Sequence, residues 1–367
     1  MHSDRPSTAP DFLLSRGAGS VRTQGSQASY DDVHTAIDAL RAGRHEMIVG
    51  ALPFDTNDRC ALTVPEKIIR EDGPLEPPAY YRQGTLSARI SGCDPELSEH
   101  LRRVEAAVAT INSSRLEKVV LARSVDVEFA GPTDPRLVAA RLIDNSYHRD
   151  GFIADLTPAG REGAMFVGSS PEVLVKRQGS TVSTFPLAGS IPRLSDPKAD
   201  HEAGQRLLHS TKDLEEHAFV VDHLRDLLSP VCSTLVAPTA PELIKTTEMW
   251  HLGTQLTGTL RNPGLTALEL ALLVHPTPAI CGTPTEAAEA LIHTAESDRG
   301  FYAGAVGWCD HSGDGEYMVA IRCAEVSGDG LSARTWAGGG IVSNSDPQAE
   351  LDETSAKLRT ILSSLDL

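Results

Sequence analysis

The chain has 367 residues, 40% of them hydrophobic, and 50 Asp+Glu against 33 Lys+Arg give a net charge of −17. That is ample apolar material for a sizeable core, and the charge argues against a nucleic-acid or anionic-membrane partner, since both need a basic footprint. The six cysteines form no CxxC pair, so separate thiols in a cytoplasmic protein are expected rather than a zinc site or disulfide framework. No secretory pattern opens the chain, and no stretch approaches the roughly 18 apolar residues of a membrane span.

Residues 1–30 are rich in Ser, Gly and Pro and are expected to be loosely ordered. A short helix is expected over 32–42 and a strand over 46–52, and DGPLEPPAYYRQG (72–84) reads as an irregular loop. Helical periodicity covers 95–114. KVVLARSVDVEF (118–129) alternates, placing Val119, Leu121, Val125, Val127 and Phe129 on one face. Two strands flank Gln178-Gly179-Ser180, and two later turns centre on Gly-Asp-Gly, a chemistry that favours antiparallel hairpins. Longer helices are expected over 198–228, 267–274 and 285–295. Hairpins and helices in mixed order predict an α+β architecture, with two packed sheets flanked by helices. The whole of 1–367 reads as one domain, with the motif-bearing region over 96–365.

Two helices carry polar groups where apolar ones would be expected. Asp213 and His217 project onto the stripe Val220, Val221, Leu224, Leu227, Leu228 and Val231, with Glu216 at its edge. An Asp–His hydrogen bond pinning the helix would satisfy such groups. ELDETSAKL (350–358) places Glu350, Glu353 and Lys357 beside the stripe Leu351, Leu358, Ile361 and Leu365. A solvated face with a Glu353–Lys357 pair accounts for it. Carboxylates from two separate helices would equally suit Mg²⁺, which prefers hard oxygen ligands and keeps open positions. The residues alone leave both readings open.

Several segments in order then carry a resemblance: KVVLAR, GSSPEVLV, PLAGS, STKDLEEH, HPTPAICGTP, FYAGAVGW, VAIRCA, AGGGIV and SDPQAELDETSAKL. Together they resemble the chorismate-utilising enzymes, and within them the isochorismate synthases. The first hundred residues contribute little. The resemblance implies one large α+β domain of stacked antiparallel sheets surrounded by helices. It also implies an isomerase that adds water at C2 of chorismate and expels the C4 hydroxyl. Lys118 would be the base, though alone it reads as a surface charge. Glu172 would be the acid, though alone it reads as a strand-edge carboxylate. Glu216 and Glu353 would bind Mg²⁺, with Glu350 beside the metal. Arg322 would grip the pyruvyl carboxylate. Ser190, Ala279, Ile280, Tyr302, Gly338 and Lys357 would line the substrate, and His275 would stand near the C4 hydroxyl or serve structure.

Within the family, Ala188 stands where aminodeoxychorismate synthases carry a lysine nucleophile, and Lys118 disfavours an anthranilate synthase. Salicylate synthases, which go on to eliminate pyruvate, are separated only by a tendency to Thr where this chain has Ser190. The resemblance further implies a cytoplasmic monomer with no glutaminase subunit, feeding menaquinone or siderophore synthesis.

Overall fold

The computed structural model describes residues 9–82 and 84–367. Residues 1–8 of the segment expected to be loose lie outside the described residues. The rest of that segment is ordered: Phe12–Arg16 and Gly19–Gln24 form a hairpin inside a sheet, and Ala28–Tyr30 joins another. Their apolar side chains explain the difference, since Phe12, Leu13, Leu14 and Val21 are all buried. Pattern reading at 1–30 gave too much weight to Ser and Gly.

The described strands form three sheets, all paired antiparallel. The ten-stranded sheet runs Gly282–Thr283, Lys118–Phe129, Ser332–Ile341, Cys323–Val326, Met165–Gly168, Gly151–Asp155, Phe12–Arg16, Gly19–Gln24, Lys67–Asp72, with Ala88–Asp94 also on Lys118–Phe129. A nine-stranded sheet contains the expected hairpin Val173–Gln178/Thr181–Phe185, closed by Gly179 at φ 60°. Both Gly-Asp-Gly turns close hairpins, at Ala305–Asp310/Gly315–Val319 and at Cys323–Val326/Ser332–Ile341. A small sheet of Leu187–Pro192, Met249–Gly253 and Glu242–Lys245 was not anticipated.

The main core lies between the two large sheets, joining Val119, Leu121 and Phe166 of one to Val175, Val306 and Met318 of the other. A second core sits between the ten-stranded sheet and the helices Pro135–Asn145 and Pro347–Ser364, with Val125, Val127, Leu142, Leu358 and Ile361. The alternating residues of Lys118–Phe129 therefore divide between two cores, and both faces of the strand are covered as far as Val125. This is the α+β architecture expected, with a sheet more deeply enclosed than alternation alone suggests.

The single helix expected over 198–228 is two, Pro197–Leu208 and Thr211–Leu228. Ser210 causes the break: its hydroxyl accepts the Asp213 N–H, capping a new N-terminus. That cap places Lys212 and Glu216 in the opening turns of the second helix. Among the described residues no helix is long and apolar enough to cross a membrane.

Candidate active site

The strand Lys118–Phe129 ends at the site because its first residue pairs with Thr283 and its second with Gly282. Arg299 fastens this corner. Its guanidinium, paired with Glu296 at 2.8 Å, donates to the carbonyls of Val120 and Ile280. Glu296 in turn accepts the Ala122 N–H at 2.7 Å. A buried pair this fully hydrogen-bonded fixes the 275–284 loop against the strand.

A narrow cleft of about 60 Å³ opens beside it. Eight of the residues named from sequence line it: Glu172, Ser190, Ala279, Ile280, Tyr302, Arg322, Gly338 and Lys357. A larger hollow of about 370 Å³ lies under residues 72–81 and contains none of them. Tyr302 stacks on Trp336 with ring centroids 5.7 Å apart, making one aromatic wall. A side chain at Gly338 would meet the Tyr302 hydroxyl at 3.0 Å, so glycine lets the wall close. Arg322 adopts φ 51°, a left-handed backbone uncommon outside glycine, of the kind found where a side chain must be aimed.

Glu172 lies two residues after Ser170 and one residue before the strand Val173–Gln178. Its side chain is 3% exposed. The Leu187 N–H reaches its Oε1 at 3.4 Å. Burial pushes this carboxyl up to about 7, against the pull of that N–H and of Lys118, Lys357 and Arg322.

Lys118 lies behind the cleft lining, with its side chain 0% exposed and its amine 3.0 Å from Glu216 Oε1. The pair's angles fall outside hydrogen-bond geometry, so charge holds it. Burial raises Glu216, but the charges of Lys118, Lys357 and Lys212 prevail and hold it below the usual carboxylate range. Gly340 makes this approach possible, since a Cβ there would sit 2.4 Å from Glu216 Oε1. Glu353 pairs with Lys357 at 2.6 Å, and Lys357 also donates to the Gly338 carbonyl at 2.9 Å.

Glu350 is 1% exposed. Its Oε1 accepts from Lys212 at 2.9 Å and from Ser345 at 2.7 Å, while its Oε2 is buried without a hydrogen-bond partner. Burial, then the charge of Glu353, raises its pKa. Three carboxylates thus stand against three amines, and among the described residues no three His, Cys, Asp or Glu side chains stand in a ligating group. The donor set still fits a hard divalent cation. The oxygens are carboxylate, one of them is orphaned in the interior, and two protein ligands suffice for an ion that keeps water or substrate oxygens.

Of the two histidines singled out from sequence, His275 takes the structural alternative and His217 departs from expectation. His275 is not among the cleft-lining residues: its Nε2 bonds the Phe54 carbonyl at 2.9 Å and its ring packs edge-on against Phe54. Burial takes it down to about 4, so it is neutral. His217 does not pair with Asp213. Its Nδ1 bonds the Ala188 carbonyl at 3.2 Å and its Nε2 the Thr254 hydroxyl at 2.7 Å, while Asp213 turns to Ser210. The histidine on the cleft is His251, missed from sequence. Its Nδ1 meets Ser190 Oγ at 2.7 Å and its Nε2 is buried with no partner. Burial, with Arg322 and Lys357 nearby, keeps it neutral. WHLGTQ carries no spacing signal that would have identified it. Lys212 was missed for a different reason, because a lysine in a helix's first turn reads as solvated.

The chain matches a family described as chorismate binding enzyme over residues 75–366. It is 44% identical to the MenF protein of Mycobacterium tuberculosis over 364 residues, covering 97% of this chain and 96% of that one. It is 43% identical to the isochorismate synthase DhbC of Bacillus subtilis over 335 residues, 89% and 83% of the two chains. The crystal structure of DhbC from Bacillus anthracis superposes with a TM-score of 0.90 at 36% identity, covering 99% of this chain and 98% of that one. The fold, the cleft and these matches lead to one conclusion: the chain belongs to the chorismate-binding enzymes.

Proposed function

We propose that the chain is a Mg²⁺-dependent isochorismate synthase, adding water at C2 of chorismate and releasing the C4 hydroxyl. The observation that carries this reading is Glu172, a buried carboxyl protonated up to about pH 7 in a cleft that also presents Arg322 and Lys357. A proton donor beside two cations suits a dianionic ring whose neutral leaving group needs a proton. The relatives' names support the same reaction, since DhbC of Bacillus subtilis is named an isochorismate synthase.

In this mechanism Arg322 holds the pyruvyl carboxylate by its fork of N–H groups. Ser190, His251, Ala279, Ile280 and the Tyr302–Trp336 wall orient the ring. For this step Lys118 must first give up the proton that pairs it with Glu216; as the free amine it then takes one proton from the water whose oxygen bonds to C2. The ring double bonds shift, the C4–O bond breaks, and Glu172 gives its proton so that the hydroxyl leaves as water. Glu216 and Glu353 would hold Mg²⁺, with Glu350 beside it, and the ion when bound supplies positive charge for the ring carboxylate. The chain would act alone, without a glutaminase, as a cytoplasmic monomer.

Incubation of the purified protein with chorismate and Mg²⁺, followed by chromatography, tests the reading. Isochorismate is the expected product, and EDTA abolishes its formation. Salicylate with pyruvate as main products would instead assign a salicylate synthase. Anthranilate formed only with ammonium would remove Lys118 from the role of base.

A further inference from the structure

We propose that Lys212 is a tethered counter-ion that competes with the divalent cation for Glu350 and so weakens cation binding by the substrate-free protein. The inference rests on the cation site proposed above.

The three lysines at the carboxylates are not equivalent. Lys118 is 0% exposed, so its amine cannot swing out into bulk solvent. Lys357 is held twice, by Glu353 and by the Gly338 carbonyl. Lys212 has Glu350 as its hydrogen-bond partner and keeps 32% of its side chain exposed, so its amine can swing into solvent on its own stem. It also sits in the first turn of Thr211–Leu228, where the helix dipole disfavours a cation. What keeps it there is negative charge. Burial opposes its ammonium form, but Glu350, Glu216 and Glu353 all favour it. One mobile amine therefore answers the three carboxylates assigned to the metal.

Glu350 shows the other half of the competition. Lys212 and Ser345 share its Oε1, while Oε2 is buried and unpartnered. A buried carboxylate oxygen without a partner is costly. It is a vacant acceptor next to an occupied one. A divalent cation drawn to Oε2 would stand beside the Lys212 ammonium, and at this range like charges repel strongly even at a moderate effective dielectric. The amine with access to water is the one that leaves.

The test is calorimetric titration of Mg²⁺ into substrate-free protein. Lys212→Met keeps the apolar stem and removes the charge, and it should bind Mg²⁺ at least about tenfold more tightly than the wild type. Lys212→Arg keeps the charge and should bind as the wild type does. If Lys212 were only a strut between helices, Lys212→Met would bind Mg²⁺ equally or more weakly, which overturns the proposal. Absence of Mg²⁺ binding in all three proteins would overturn the cation site itself. A second measurement uses the wild type alone: acylation of the Lys212 amine, read by mass spectrometry, should speed up several-fold on saturation with Mg²⁺. Labelling that does not change with Mg²⁺ would show that the amine stays on Glu350.

Discussion

Glu172 and Glu216 are the same chemical group, and folding takes both out of water. Yet burial holds Glu172 up at about 7, while Glu216 lies below the usual carboxylate range. The difference is distance to a cation. Glu216 has the Lys118 amine at 3.0 Å, whereas Glu172 has only a long contact from the Leu187 N–H and feels its lysines and Arg322 from further away. A fold can thus make a proton donor or an anion from one residue type by moving one amine. Glu350 stands between the two cases, paired on one oxygen and bare on the other.

Removing the amine should break this contrast most severely. Lys118→Ala removes the proposed base and leaves Glu216 buried without its partner; kcat for isochorismate formation should fall about 10²–10⁴-fold, measured by product chromatography. Chorismate binding by the inactive variant, followed calorimetrically, would separate lost chemistry from lost affinity.

Glu172→Gln should lower kcat about 10²-fold or more. For the wild type, the limb of kcat/KM that needs the proton on Glu172 falls as pH rises through about 7. The same group has a stability signature. Between the ordinary 4.5 and about 7 the folded chain keeps a proton that the unfolded chain has lost, so stability decreases as pH rises through that window. The loss reaches at most about 3 kcal/mol and is complete above it. Urea unfolding on either side of the window should show this slope in the wild type and a flatter one in Glu172→Gln.

The smallest effect sharpens the comparison between the two histidines. His251→Phe, altering a cleft wall, should lower kcat/KM about tenfold or more with a modest change in stability. His275→Phe should cost about 1–3 kcal/mol of stability through the orphaned Phe54 carbonyl and leave kcat/KM within a few-fold. Steady-state kinetics paired with thermal unfolding reads both, and equal kinetic losses would remove the distinction drawn from the cleft lining.

Much of the fold was legible because the local signals agreed with one another. The strand 118–129, the helices 267–274 and 285–295 and the glycine turns appear where pattern placed them. The N-terminal strands were not legible, since strands of five and six residues set among Ser and Gly become strands only through partners far along the chain. The motif residues Glu172, Arg322 and Gly338 all line the cleft. His251 and Lys212 did not stand out, because their importance lies in an unpartnered nitrogen and a shared carboxylate. Neither is a property of sequence spacing.

The hairpin Phe12–Arg16/Gly19–Gln24 has a consequence reaching beyond its own residues. It covers Gly151–Asp155, whose other neighbour, Met165–Gly168, leads directly into the serines before Glu172. A chain trimmed to its recognisable motifs would leave Gly151–Asp155 as a raw rim, with backbone donors and acceptors open to any passing strand. The segment least informative about chemistry is therefore what keeps the catalytic half from sticking to its own copies.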